Sequence, residues 1–174
     1  MKVYIVRHGE CNSNVLGIYN YKSEDLNESG IKQAEFLKEQ LSDHKFDVIF
    51  SSILPRAIHT AKIINNGKLD IIIDERLRER ESGMLEGKPT STTDREDYWN
   101  YYSKTNYGNE ERIPDLFNRV KDFLDELKTK DYDSVLIVAH SGVSKAFSGY
   151  FEGIQDGKFL HRGLKNCEIK EYQL

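Results

Sequence analysis

The sequence predicts an α/β protein, a three-layer sandwich in which a mostly parallel central sheet is flanked by helices. Two observations carry this. Apolar runs of strand length alternate with segments whose apolar residues recur at helical spacing. Two of those runs also stop on a histidine with a glycine close behind, at Arg7-His8-Gly9-Glu10 and His140-Ser141-Gly142. Strand ends of this kind are where open α/β sheets carry ligand sites.

In chain order, Val3–Val6 is the first buried strand. Ile31, Ala34, Leu37 and Leu41 then mark one helix face, with Ser29 placed to cap its first turn. Val48–Phe50 is a second buried strand. Pro55 suits a first helical position, and Ala57, Ala61 and Ile64 share a face behind it. Ile71–Ile73 reads as a third buried strand. A third helix carries Leu116, Val120, Phe123, Leu124 and Leu127, and Val135–Ala139 is the fourth buried strand. Val143, Ala146, Phe147 and Tyr150 define the last helix, and Cys167–Tyr172 alternates like a half-exposed strand. Residues 88–113 fit no strand–helix unit and hold Tyr98, Trp99, Tyr101, Tyr102 and Tyr107. We expect a short cap-like insertion over one sheet end, within a single domain spanning 1–174.

Composition excludes several classes. Acidic residues outnumber basic ones, 29 to 25, so the average surface does not attract nucleic acid. Any anion site must be a local cluster of arginines. No apolar run approaches the roughly 20 residues that span a bilayer, and Met1-Lys2-Val3 leads directly into a strand, leaving no room for a signal peptide. Cys11 and Cys167 make no disulfide framework, which points to a reducing cytoplasm. The expected state is a monomer or homodimer, with no nucleic-acid or membrane partner.

The chemistry-bearing residues sit at strand ends. Arg7 beside His8 suits phosphate: a planar cation holds the oxygens while a neutral imidazole acts on phosphorus. His140 repeats the arrangement, and the helix after it aims free N–H groups near Ser141 and Gly142 at the same place. Arg56, in the first turn behind Ser51-Ser52, can join Arg7 in gripping a phosphoryl group. Two histidines and a glutamate could also ligate zinc, but two guanidinium groups would repel a cation, so no metal and no cofactor are expected. Four glutamates at 75, 79, 81 and 86 crowd one segment, and composition does not choose among them.

Five blocks in order resemble the histidine phosphatase superfamily, the phosphoglycerate mutase-like group. They are Arg7-His8-Gly9-Glu10 with Asn14; Leu26, Gly30 and Gln33-Ala34; Ser51-Ser52, Leu54, Arg56-Ala57 and Thr60-Ala61; Leu77, Glu79, Gly83 and Glu86-Gly87; and His140-Ser141-Gly142-Val143. Asn166-Cys167-Glu168-Ile169 is similar to the family's final strand. The resemblance implies that His8 attacks phosphorus to form a phosphohistidine, which water then hydrolyses. It places proton donation on Glu79, and phosphate contacts on Arg7, Asn14, Arg56, His140 and the Ser141–Gly142 backbone.

The resemblance points to a phosphoric monoester hydrolase. The mutases of this family carry a larger insertion and an extended tail, so mutase-type phosphoryl transfer is the alternative. All the chemical positions are filled, which argues against a dead phospho-ligand binder. Two departures from the family pattern bear on specificity: Glu111 where a serine is frequent, and Ser141 where a glycine is frequent. The Tyr98–Tyr107 aromatics either stack on a substrate ring, as α-ribazole phosphate would offer, or form a buried helix face through Tyr98, Trp99 and Tyr102.

Overall fold

The computed structural model describes residues 1–174. Strands β1 (Lys2–Arg7), β2 (Val48–Ser51), β3 (Ile71–Ile73), β4 (Ser134–Ala139) and β5 (Ile169–Gln173) form one five-stranded sheet in the order β3-β2-β4-β1-β5. β1, β2, β3 and β4 run parallel, and β5 pairs antiparallel with β1. The helices are α1 (Asn12–Leu16), α2 (Glu28–Gln40), α3 (Pro55–Asn65), α4 (Arg95–Tyr98), α5 (Ile113–Leu127) and α6 (Ser141–Glu152). No helix is long and apolar enough to cross a membrane.

Strand alternation builds two cores, because successive side chains point to opposite faces. Val3, Ile5, Phe50, Val135 and Ile137 pack with the α5 and α6 residues Leu116, Val120, Leu124, Val143 and Phe147. Tyr4, Val6, Ile49, Leu136 and Val138 pack on the other face with Leu37 of α2 and Ala57, Ala61 and Ile64 of α3. All four apolar helix faces and all five strands expected from the sequence are present.

Three expectations are corrected. Ser29 does not cap α2; Asn27, two residues earlier, does, accepting the Gly30 N–H at 2.8 Å. β3 is an edge strand, so Ile72 and Ile73 are exposed rather than buried: only β2 pairs with it. Within residues 88–113, Tyr98 and Trp99 are buried but Tyr102 is exposed, because α4 ends at Tyr98 and the chain turns before Tyr102 can share its face.

Candidate active site

Parallel strands deliver their ends to one edge of the sheet, and β1, β2 and β4 are adjacent there. His8, Ser52 and His140 each follow the last residue of one of these strands. The ladder continues through them, with the His8 N–H on Ala139 O and the Ser52 N–H on Val138 O, both at 3.0 Å. The two imidazoles consequently stand 5.1 Å apart, centroid to centroid.

His8 is fully buried, and its Nδ1 donates to the Gly9 carbonyl at 2.7 Å. A carbonyl can only accept, so the proton sits on Nδ1 and the lone pair on Nε2. Arg56, 2% exposed, aims its Nε at that Nε2 from 3.3 Å and fixes its own position by donating from Nη1 to the Tyr21 carbonyl. Burial first, then the Arg56 and Arg7 charges, hold the His8 pKa well below its ordinary 6.5. His140 is lowered by burial, then by Arg56 and His8. Its Nε2 meets Ser52 Oγ at 2.7 Å, and its buried Nδ1 has no protein partner. Arg7 anchors one guanidinium nitrogen on the Leu164 carbonyl, while its buried Nε is unpartnered.

The loop after β1 is held on every side. The Gly9 N–H donates to Thr60 Oγ1 at 3.1 Å, the Glu10 N–H to Gln33 Oε1 at 2.9 Å, and Asn166 Nδ2 to the His8 carbonyl at 3.0 Å. Helix α2 presses against it so closely that a Cβ on Gly30 would lie 2.2 Å from Glu10 O. The Gly30, Gln33 and Thr60 positions are therefore framework for His8. Glu10 braces the loop through Asn27.

Glu79 lies across the cleft from this loop. Its carboxylate accepts the Arg80 N–H at 2.8 Å and the Gly142 N–H at 3.0 Å. The Gly142 N–H, expected on phosphate, is therefore directed at Glu79, because the start of α6 packs against the Glu79 segment. Asn14 lines the cleft, but its Oδ1 accepts from the Cys11 N–H and from Asn166 Nδ2 while its Nδ2 donates to Asn20, so its amide is engaged within the protein. Ser141 lines the cleft at the N-terminus of α6.

Sequence reasoning missed the support behind Glu79. Arg119 forks onto Glu111 at 2.7 and 2.8 Å and donates to the Arg78 and Glu79 carbonyls at 2.8 and 3.2 Å. Glu111, expected to bear on specificity, is thus the ion-pair partner that orients Arg119. The i,i+8 spacing of an acid before α5 and an arginine on it was the available signal. Ser52 was visible only as part of a motif; its role follows from strand register.

The cleft has a volume of about 400 Å³ and is lined by seven cationic side chains against three carboxylates. A chain of net charge −4 thus concentrates positive charge at one place. No cluster of three or more His, Cys, Asp or Glu side chains comes together to hold a metal ion. Cys11 is fully buried near His8, and burial pushes its thiol up to about 12, so it stays a thiol.

A neutral imidazole beside the Arg56 guanidinium and in the field of Arg7 can attack phosphorus while fixed charges balance the phosphoryl oxygens, and a nearby carboxyl can serve the leaving oxygen. Fold and site together define a phosphoryl-transfer enzyme of the α/β class. Residues 3–174 match the histidine phosphatase superfamily (branch 1), and the chain belongs to that family. It is an enzyme of phosphate monoesters. It is 32% identical over 176 residues to phosphoserine phosphatase 1 of Hydrogenobacter thermophilus, covering 96% of this chain and 83% of that one. It is also 32% identical over 184 residues to a 2,3-bisphosphoglycerate-dependent phosphoglycerate mutase of Cytophaga hutchinsonii, covering 97% and 85%. The crystal structure of the α-ribazole phosphatase from Shigella flexneri superposes with a TM-score of 0.83 at 28% identity, covering 98% of this chain and 89% of that one.

Proposed function

We propose that the chain hydrolyses small-molecule phosphate monoesters through a phosphohistidine on His8, with Glu79 as proton donor. The observation that carries this is the His8 environment: Nδ1 tied to Gly9 O, Nε2 free of a proton, and Arg56 Nε aimed at the same point.

The Nε2 lone pair forms a bond to phosphorus as the bond to the alcohol oxygen breaks. Glu79 gives its proton to that oxygen, so the alcohol leaves neutral. Arg7 and Arg56 stay fixed while charge spreads over the equatorial oxygens, and the unpartnered His140 Nδ1 offers a further contact to them. The ring gains positive character as it is phosphorylated, which strengthens the Nδ1–H bond to Gly9. In the second step Glu79 takes a proton from water, the oxygen attacks phosphorus, and the N–P bond breaks. Inorganic phosphate leaves and neutral His8 returns.

Mutase transfer would use the same nucleophile, and a mutase is among the relatives. Hydrolysis is favoured by the phosphatase relatives. Substitution His8→Ala should abolish hydrolysis of p-nitrophenyl phosphate; retained turnover would overturn the mechanism. With 3-phosphoglycerate and a trace of the bisphosphate, inorganic phosphate should appear faster than 2-phosphoglycerate. The reverse order would make the enzyme a mutase.

A further inference from the structure

What stands behind each of the two imidazoles decides what its other nitrogen can offer. Behind His8 is a pure acceptor, the Gly9 carbonyl, so Nδ1 keeps the proton and Nε2 keeps the lone pair. Behind His140 is a hydroxyl: its Nε2 lies 2.7 Å from Ser52 Oγ. A hydroxyl can donate or accept, so the other neighbours of Ser52 set the direction of this bond.

Ser52 is fully buried directly after β2, and its Oγ already accepts the Leu54 N–H at 3.2 Å. No carbonyl or carboxylate takes the hydroxyl hydrogen, and the neighbouring Ser51 hydroxyl is turned to the Ser52 carbonyl. His140 Nε2 is the acceptor that remains. Burial, then the Arg56 charge, holds the His140 ring neutral, so an Nε2 that accepts leaves the single proton on Nδ1. The reverse arrangement would strand the hydroxyl hydrogen in every state of the enzyme. The Nδ1 hydrogen lacks an acceptor only while the site is empty. Arg7 supplies an independent observation. It stands in register with Ala139, so the ends of β1 and β4 leave the sheet side by side, and its buried Nε has no partner either. Two unpartnered nitrogens, Arg7 Nε and His140 Nδ1, thus border the nucleophile.

We infer that Ser52 is a positioning residue: its hydroxyl donates to His140 Nε2 and so keeps the ring proton on Nδ1, as a preset donor to the phosphoryl oxygens. The role at phosphorus rests on the phosphatase reading; the tautomer does not. The same residue type then performs two tasks at one sheet edge. A carbonyl behind His8 makes it a nucleophile, and a hydroxyl behind His140 makes it a hydrogen-bond donor. With the other tautomer, His140 would turn a lone pair towards an arriving anion, which repels it.

The test is nitrogen NMR of enzyme carrying isotope-labelled histidine, free and with inorganic phosphate, the His140 signals being assigned by their loss in His140→Gln. The protonated and unprotonated nitrogens of a neutral ring resonate far apart, so the tautomer is read directly. The unaltered enzyme should carry the His140 proton on Nδ1 in both states. Ser52→Ala should return it to Nε2, the ordinary preference of a free imidazole, in the phosphate-free enzyme. The same variant should lower kcat/KM on p-nitrophenyl phosphate about tenfold, the order of one buried partner lost. Ser52→Thr keeps a hydroxyl and should keep both the Nδ1 proton and most of the rate. A proton on Nε2 in the unaltered enzyme overturns the assignment, whether or not the variants fold. So does a Ser52→Ala enzyme that loses activity with its proton still on Nδ1, since Ser52 would then only support the turn before α3. An unaltered enzyme that carries the Nδ1 proton yet fails to hydrolyse p-nitrophenyl phosphate overturns the phosphatase reading and leaves the tautomer standing.

Discussion

The Glu79 carboxylate is fastened to Gly142, accepting its backbone N–H at 3.0 Å through Oε1 and 3.2 Å through Oε2. The proposed acid is thereby registered to the helix that follows His140. A Cβ on Gly142 would stand 2.2 Å from Glu79 Oε1 and 3.1 Å from Trp99 Cη2.

Gly142→Ala should therefore displace the carboxylate while leaving His8 in place. Positioned general acids contribute on the order of 100-fold or more, and only esters with poor leaving groups need that help. We expect kcat on an alkyl phosphate to fall about 100-fold, and on p-nitrophenyl phosphate less than about tenfold. Equal losses on both esters would remove proton donation from Glu79.

Arg56→Met tests the charge beside the nucleophile. Loss of an arginine that stabilises phosphoryl transfer lowers kcat by about 10³ or more. His8 should also become easier to protonate, because the Arg56 charge ranks second only to burial in lowering its pKa. The acid limb of the kcat/KM profile should move to higher pH, modestly, since burial remains. An unmoved limb would separate Arg56 from His8.

Much of this was legible because both periodicities are strong. The strand runs are unbroken, and Leu116 to Leu127 recur at helical spacing, so α5 could be read directly. His8 and His140 were legible for the same reason, as each closes an apolar run. Glu79 was not separable from its neighbouring glutamates on residue type. What distinguishes it is contact with the start of α6, a long-range relation that no local pattern encodes. The exposure of Ile72 and Ile73 was illegible in a similar way: an edge strand and a central strand can carry the same three isoleucines.

Arg119→Met probes the network behind Glu79. Arg119 and Glu111 are both largely buried, and removing Arg119 leaves the carboxylate only its longer pair with Arg78 at 3.7 Å, at a cost of about 3 kcal/mol. The denaturant midpoint should fall accordingly. Arg119→Lys should not rescue it, because the fork onto Glu111 and the reach to the Arg78 and Glu79 carbonyls need a guanidinium. In folded protein, alkyl phosphates should lose more activity than aryl phosphates, since the loosened group is the acid. A midpoint that Lys restores would reduce the pair to simple charge.

The two buried histidines make stability fall in acid. Both have folded pKa values well below 6.5, while the unfolded chain titrates near 6.5. Between the folded and unfolded values the unfolded state binds more protons, so stability rises with pH in that window and is lost as pH falls below about 6.5. Each histidine contributes a slope of at most about 1.4 kcal/mol per pH unit there. Urea midpoints between pH 7 and pH 5 should show a decline, and His8→Asn should flatten it by about one histidine's share. The same depression keeps His8 unprotonated, so kcat/KM should show no histidine limb at pH 6.5. A limb at that pH, with urea midpoints unchanged down to pH 5, would mean that neither ring is held neutral.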